Sequence, residues 1–216
     1  MLMKTERLPV YSKMINPKLF ILSTDKVQSF SDDYFQKHFP NRFLKSKEFR
    51  YADDAVRSLG SAVLLKEVLN IEEKDLSYTK NGKPFVENSK FQFNLSHSGK
   101  YCVLSVFDLE IGVDIEFWKD INHNSIKSIL TPEEYSFAEN NPNKFFDIWT
   151  MKESLSKLFG MGLSMGITKL DVMPMLNDGY VLYDNRKVYG KTLNLDNYSL
   201  SVCSFKEINK LDLEYF

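Results

Sequence analysis

Between Phe91 and Glu116 the chain carries three runs, FQFNLS, YCVLSVF and EIGVDIE, separated only by short polar connections. Each run favours the β-branched and aromatic residues that suit a pleated surface, and each is too short to compete as a helix. Strands this close in sequence are expected to pair as a meander. Upstream, Ala55, Leu59, Ala62, Leu65 and Leu69 recur at spacings of four and three, which predicts an amphipathic helix. Asp53 and Asp54 stand where its N-cap and first turn favour carboxylates. Downstream, the stretch from Asn143 to Phe159 predicts a second helix, with Ile148, Met151, Leu155 and Leu158 facing a core and Gly160 at the C′ position.

A long helix accompanied by strands therefore occurs twice, and the natural division falls near Asp108 to Glu110. The order is that of an α+β protein and is consistent with two similar halves, 1–108 and 109–216. Periodicity alone does not establish a duplication, and no letter-level repeat is visible. Other local signals fill in the outline. KLFILS, from Lys18 to Ser23, reads as a buried strand, and Phe30 to Phe49 as polar, aromatic-studded sequence broken at Pro40. Asn81-Gly82 marks a tight turn. Thr131-Pro132-Glu133-Glu134 has an N-cap threonine, a proline at the first helical position and a glutamate at N3, so a helix should start there and stop at Asn140-Asn141-Pro142. YSLSVCSF, from Tyr198 to Phe205, reads as a late strand.

Composition narrows the class of protein. At 216 residues with 43% apolar side chains, the chain can bury a sizeable core without disulfide or metal staples. Twenty-eight basic against 29 acidic side chains leave a net charge of −1, which argues against binding nucleic acid by global charge. Cys102 and Cys203 sit in apolar runs, where thiols behave as small hydrophobes. The start lacks the apolar stretch of a signal peptide, and no run approaches the ~20 apolar residues that span a bilayer. A soluble, cytoplasmic protein without membrane contact is expected.

Several groupings could carry chemistry. Asp114 and Glu116 alternate with Val113 and Ile115 in a strand pattern, so both carboxylates share one face. That arrangement suits one hard cation such as Mg²⁺, and equally the wet face of an exposed strand. Glu153 and Lys157 lie one helical turn apart, opposite the apolar face and in a row with Trp149. They could be catalytic, or an ordinary helix pair contributing about 0.3–0.5 kcal/mol. Asn94-Leu95-Ser96-His97-Ser98-Gly99-Lys100 gathers donors that suit phosphate oxygens, or forms a polar hairpin turn. Lys83, Arg42, Lys45 and Arg57 are unremarkable singly. There is no Walker A loop, no G-x-G-x-x-G and no Cys/His cluster for zinc.

Taken in order, GKP from Gly82, FNLSHSGKY from Phe93, IGVDIE from Ile111 and WTMKESLSKLFGMGL from Trp149 resemble the successive motifs of the Sfp-type 4′-phosphopantetheinyl transferase superfamily. DAVRSL, from Asp54 to Leu59, resembles an upstream motif of the same family. The resemblance implies two similar α/β halves related by a pseudo-twofold, with the active site at their junction. It implies transfer of the phosphopantetheine arm of coenzyme A to a serine of an apo acyl or peptidyl carrier protein, with release of adenosine 3′,5′-bisphosphate. By motif, Asp114, Glu116 and Glu153 would hold Mg²⁺, with Glu153 and Lys157 catalytic and Lys157 also on the phosphates. Ser96 and His97 would bind coenzyme A phosphates, Lys83 would line the nucleotide site, and Arg57 and Ser58 match nucleotide-contacting positions. Arg42 and Lys45 fall near the basic pair that meets the 3′-phosphate in relatives. Thr150 and Leu155 depart from the usual pattern without touching an implied ligand.

A two-half chain can complete its own site, so a monomer is expected. Phe117, Trp118 and Lys119 follow the acidic strand and could dock the acidic helix of a carrier, or Trp118 could belong to the core. The competing functions are a Mg²⁺-dependent hydrolase of a nucleotide pyrophosphate and a non-catalytic coenzyme A binding module.

Overall fold

The computed structural model describes residues 13–121, 123–141 and 143–216. The chain opens with β1 (Lys18–Ser23), followed by the short helices α1 (Thr24–Val27), α2 (Asp32–His38) and α3 (Pro40–Ser46) and the long helix α4 (Ala52–Leu69). The aromatic-studded stretch is thus two helices: Pro40 opens α3 at its first turn, where no amide donor is needed, and Phe35, Phe39 and Phe43 are buried. A small hairpin, β2 (Ser77–Tyr78) and β3 (Pro84–Phe85), precedes the strands β4 (Gln92–Ser98), β5 (Tyr101–Phe107) and β6 (Ile111–Phe117). Then come α5 (His123–Ile129), α6 (Pro132–Ala138), α7 (Asn143–Phe159) and α8 (Met173–Asp178), and finally β7 (Tyr180–Tyr183), β8 (Arg186–Leu195), β9 (Tyr198–Ser204) and β10 (Asp212–Tyr215).

Two four-stranded sheets run β10-β1-β5-β4 and β6-β9-β8-β7. The three runs around residue 100 are therefore not a meander. β4 and β5 form a hairpin, but β1 already occupies the other edge of β5, so β6 has no edge of β5 to join and pairs with β9 instead. The repeat hidden from the letters is plain in the topology. In each half a first strand leads through helices to a long helix and then a hairpin, and the sheet places the last hairpin strand between the first strand and its partner: β1-β5-β4 and β6-β9-β8. This is a mixed α+β fold in two halves. β10 returns from the chain's end to lie parallel to β1.

Strand alternation distributes the apolar residues over three cores. Phe20 and Leu22 pack with Ala62 to Leu65 of α4, whereas Leu19 and Ile21 face the other way. There they meet Val113 and Ile115 of β6 and Leu200 and Val202 of β9, so the two sheets pack face to face. The third core lies between α7 and its sheet, with Ile148, Met151, Leu155 and Leu158 as read from their spacing. Gly112 sets the distance there, because a Cβ at that position would land on the carbonyl oxygen of Ser154. The helix closes at Gly160, whose φ of +63° is the left-handed C′ conformation. The capping box at α6 is present, with Thr131 and Glu134 exchanging backbone-to-side-chain bonds. α6 ends at Ala138; the expected stop at Pro142 lies outside the described residues. Among the described residues no helix is long and apolar enough to cross a membrane.

Candidate active site

The halves meet where β4 runs alongside β6, two strands that each form an edge of their own sheet. Backbone donors along such an edge need acceptors. Here β4 supplies them from side chains two residues apart: Asn94 Oδ1 accepts from the Val113 amide at 2.9 Å, Ser96 Oγ from Ile115 at 3.3 Å and Ser98 Oγ from Phe117 at 3.1 Å. Each serine also donates its hydroxyl proton to the adjacent carboxylate, Ser96 to Asp114 Oδ1 and Ser98 to Glu116 Oε2, both at 2.7 Å.

Asp114 and Glu116 do share a face, and it is the face turned to α7. Lys157 Nζ lies 2.6 Å from Asp114 Oδ1 and 3.0 Å from Ser96 Oγ. The Ser96 hydroxyl, with one donor and two acceptor positions, is thereby fully occupied within the protein. Asp114 is only 4% exposed, and its other oxygen, Oδ2, has no hydrogen-bond partner among the described residues. A bare buried carboxylate oxygen is costly, by about 1–3 kcal/mol or more, and marks a place for a ligand. Burial holds the pKa values of Glu116 and Glu153 above the usual carboxylate range. Repulsion from Asp114 adds to both, and repulsion from Glu116 adds to that of Glu153. The Ser98 bond and the nearby lysines pull against this shift at Glu116, and Lys157 does so at Glu153. Hard oxygen donors around a bare carboxylate oxygen, repelling one another, fit Mg²⁺. No three acidic, imidazole or thiol groups among the described residues are already gathered into a cage, so substrate and water oxygens would have to complete the shell.

The other residues singled out from sequence lie around this cluster at different depths. His97 points outward from β4 with part of its ring in solvent. The protein packed beside it, with the charges of Lys157 and Arg57, holds its pKa below the ordinary imidazole value, so the ring is neutral at pH 7. Arg57 lies in α4, where its guanidinium pairs with Asp54 and donates to Gly99 O at 3.0 Å. Ser58 is half-buried on the same helix, and its carbonyl accepts from Arg42 Nη1 at 3.4 Å. Lys45 is exposed on α3. Lys83 reaches across the junction and donates to Leu158 O and Ile111 O, each at 3.2 Å, while Asn81 Nδ2 donates to Gly160 O at 2.7 Å. The turn between β2 and β3 thus caps the C-terminal end of α7, and burial lowers the Lys83 pKa to about 8. Trp118 packs against the core beside α7 and donates its indole N–H to Ser199 Oγ at 2.9 Å, leaving Phe117 as the exposed aromatic.

Asn94 and Ser98 escaped the sequence reading as separate functional positions. The signal was there, in the N-x-S-x-S spacing that puts Asn94, Ser96 and Ser98 on one face of the strand.

This constellation of strand carboxylates, helix glutamate and helix lysine at the seam of a duplicated α+β fold is matched by two family models. Residues 37–107 match the model described as 4'-phosphopantetheinyl transferase, N-terminal, and residues 110–203 that of the 4'-phosphopantetheinyl transferase superfamily. The chain is 33% identical over 178 residues to the 4'-phosphopantetheinyl transferase psf-1 of Bacillus pumilus, covering 74% of this chain and 76% of that protein. It is 31% identical over 176 residues to the transferase gsp of Aneurinibacillus migulanus, covering 74% and 73%, and 29% identical over 182 residues to Sfp of Bacillus subtilis (strain 168), covering 76% and 81%. The chain belongs to the 4′-phosphopantetheinyl transferase superfamily, in its Sfp-type branch, and is a phosphopantetheinyl transferase.

Proposed function

We propose that the enzyme moves the 4′-phosphopantetheine arm of coenzyme A onto a serine of an apo acyl or peptidyl carrier protein, with Mg²⁺ held by Asp114, Glu116 and Glu153. The observation that carries the reading is the bare Asp114 Oδ2, buried beside Lys157 and two glutamates whose ionised forms are disfavoured. When bound, the cation offsets charge on the pyrophosphate oxygens and relieves the repulsion among the carboxylates. The carrier serine attacks the β-phosphorus of coenzyme A, and the bond from that phosphorus to the oxygen shared with the α-phosphate breaks. Adenosine 3′,5′-bisphosphate leaves with that oxygen. The serine proton passes to Glu153, directly or through one water. Lys157 offers its ammonium to the phosphate oxygens as their charge shifts.

Nucleotide contacts are assigned to His97 and Ser58 by motif and to Arg42 and Lys45 by their place near the basic pair of relatives, with the neutral His97 ring able to donate one hydrogen bond. Ser96 has its single proton on Asp114 and Arg57 is bonded to Asp54 and Gly99, so their support for the nucleotide runs largely through the groups they hold. Lys83, committed to two carbonyls, meets the nucleotide with its stem and backbone. One chain supplies both halves of the site and acts as a monomer. The domains divide at residues 108 and 109.

Intact mass of purified apo-carrier proteins after incubation with the enzyme, coenzyme A and Mg²⁺ tests this. A gain of one phosphopantetheine, with one equivalent of the bisphosphate released, is expected. Free phosphopantetheine without carrier labelling would instead mark a hydrolase, and binding of coenzyme A with neither product a non-catalytic module.

A further inference from the structure

Glu116 is the outermost of the two strand carboxylates, at the end of β6 where the sheet opens to solvent. A glutamate there has three side-chain torsions to fix, and the packing of β6 does not fix them: Glu116 is only half-buried and the next residue, Phe117, is exposed. What holds it is Ser98, from the other half. The hydroxyl accepts the Phe117 amide at 3.1 Å, which orients its proton, and it donates that proton to Glu116 Oε2 at 2.7 Å. Ser98 is itself the last residue of β4, a position that would ordinarily fray. Here the turn after it is tied down from both sides. Arg57 of α4 donates to Gly99 O at 3.0 Å, and the Lys100 amide donates to Tyr198 Oη of β9 at 3.0 Å. Tyr198 is also the register partner of Phe117, so the residue that pins the turn is paired with the residue next to Glu116.

We propose that Ser98 is a positioning residue that aims Glu116 at the metal, and that the turn at residues 98–100, anchored to both halves, makes that aim depend on their register. The inference rests on the metal site proposed above. Outer partners of this kind typically govern metal affinity by roughly 10–100-fold.

The test measures Mn²⁺ binding to the full-length enzyme in the presence of coenzyme A, by electron paramagnetic resonance or calorimetry, alongside the Mg²⁺ concentration that half-saturates carrier labelling. Ser98→Ala should weaken Mn²⁺ binding and raise the Mg²⁺ requirement by roughly 10-fold or more, with the KM for coenzyme A at saturating metal moving far less. Ser98→Thr, which keeps the hydroxyl, should recover wild-type binding to within a few-fold. Ser98→Cys keeps the volume with a weak donor, should resemble alanine, and carries the test if the alanine variant folds poorly. In a Glu116→Gln background, Ser98→Ala should add almost nothing, because the two side chains act as one unit. Unchanged Mn²⁺ affinity in both the alanine and cysteine variants, in an enzyme that binds Mn²⁺ and labels carriers, would overturn the role of Ser98 and leave the proposed function standing. So would an undiminished Ser98→Ala effect in the Glu116→Gln background. A wild-type enzyme that binds no Mn²⁺ with coenzyme A present would overturn both.

Discussion

α4 and α7 hold equivalent places in the two halves, each a long helix laid over its own sheet between the first strand and the hairpin, yet they bury different chemistry. The buried stretch of α4 is Gly60 to Leu65, apolar but for Ser61. α7 buries Asp147, Thr150, Lys152, Ser154 and Ser156 among its apolar residues, and each is matched. Asp147 accepts from Ser199 and Asn194, Thr150 meets Ser201 at 2.8 Å, Ser156 donates to Gly162 O, and Lys152 pairs with Glu134 at 2.8 Å with neither side chain exposed. Apolar contact leaves a helix free to slide a little at small cost, whereas satisfied buried polar groups accept one arrangement. The helix carrying Glu153 and Lys157 is held by direction-specific bonds within its buried face, whereas those of α4, from Arg57 to Gly99 O and from Lys66 to Glu72, lie at its partly exposed sides.

The largest effect that could break this contrast is at Lys157. Replacing it with methionine should lower carrier labelling by roughly 10²–10³-fold, the scale of losing one preorganised charge-stabilising donor. It also leaves Asp114 buried without its counter-charge, so the melting temperature should fall. Labelling within a few-fold of wild type would make Lys157 a structural partner only.

Lys152 comes next. Removing one member of a fully buried pair typically costs about 3–5 kcal/mol, so Lys152→Met should show a large stability loss in denaturant titration. Glu134 is also the capping glutamate of α6 and accepts from the Val172 amide at 3.0 Å, so the loosening should spread to α6 and residues 170–172. Hydrogen exchange would register it there and leave α4 protected. Uniform loss of protection would erase the difference between the helices.

The smallest effect is a change of slope. The Lys83 pKa is lowered by burial from 10.5 to about 8, so between those values the folded state binds fewer protons on this side chain than the unfolded chain does. Its contribution to stability therefore rises with pH from about 8 to 10.5. Lys83→Met should flatten that rise in a pH series of unfolding curves. A variant slope equal to wild type would place the ammonium in solvent rather than against the end of α7.

The local parts of this architecture were legible in sequence for a physical reason: helix periodicity, the Thr131 to Glu134 box and the Gly160 cap are each decided within a few residues. The meander reading failed because the free edge of β5 is filled by β1, some eighty residues upstream, which no local pattern reports. The Phe30 to Phe49 helices were obscured by Pro40, read as a break where it serves as a helix start. Within the site, Asp114, Glu116, Glu153 and Lys157 could be gathered by spacing and motif. That Asn94, Ser96 and Ser98 form the seam between the halves could not, because their partners are backbone amides of another sheet. Glu153 and Lys157 lie on the less buried side of α7, but Lys157 still reaches the sheet at Asp114, and Lys152 and Ser156 on neighbouring rows are buried, since α7 is covered from more sides than an amphipathic pattern implies.

The claim that the chemistry resides on α7, with Glu153 as the base, is tested most directly by single-turnover carrier labelling with Glu153→Gln at saturating coenzyme A, carrier and Mg²⁺. The substitution keeps size and removes charge. A rate lower by roughly 10²–10⁴-fold is expected. In metal-free buffer the melting temperature should match or exceed wild type, because one of three mutually repelling carboxylates is gone. A rate within a few-fold of wild type in that folded variant would contradict the account.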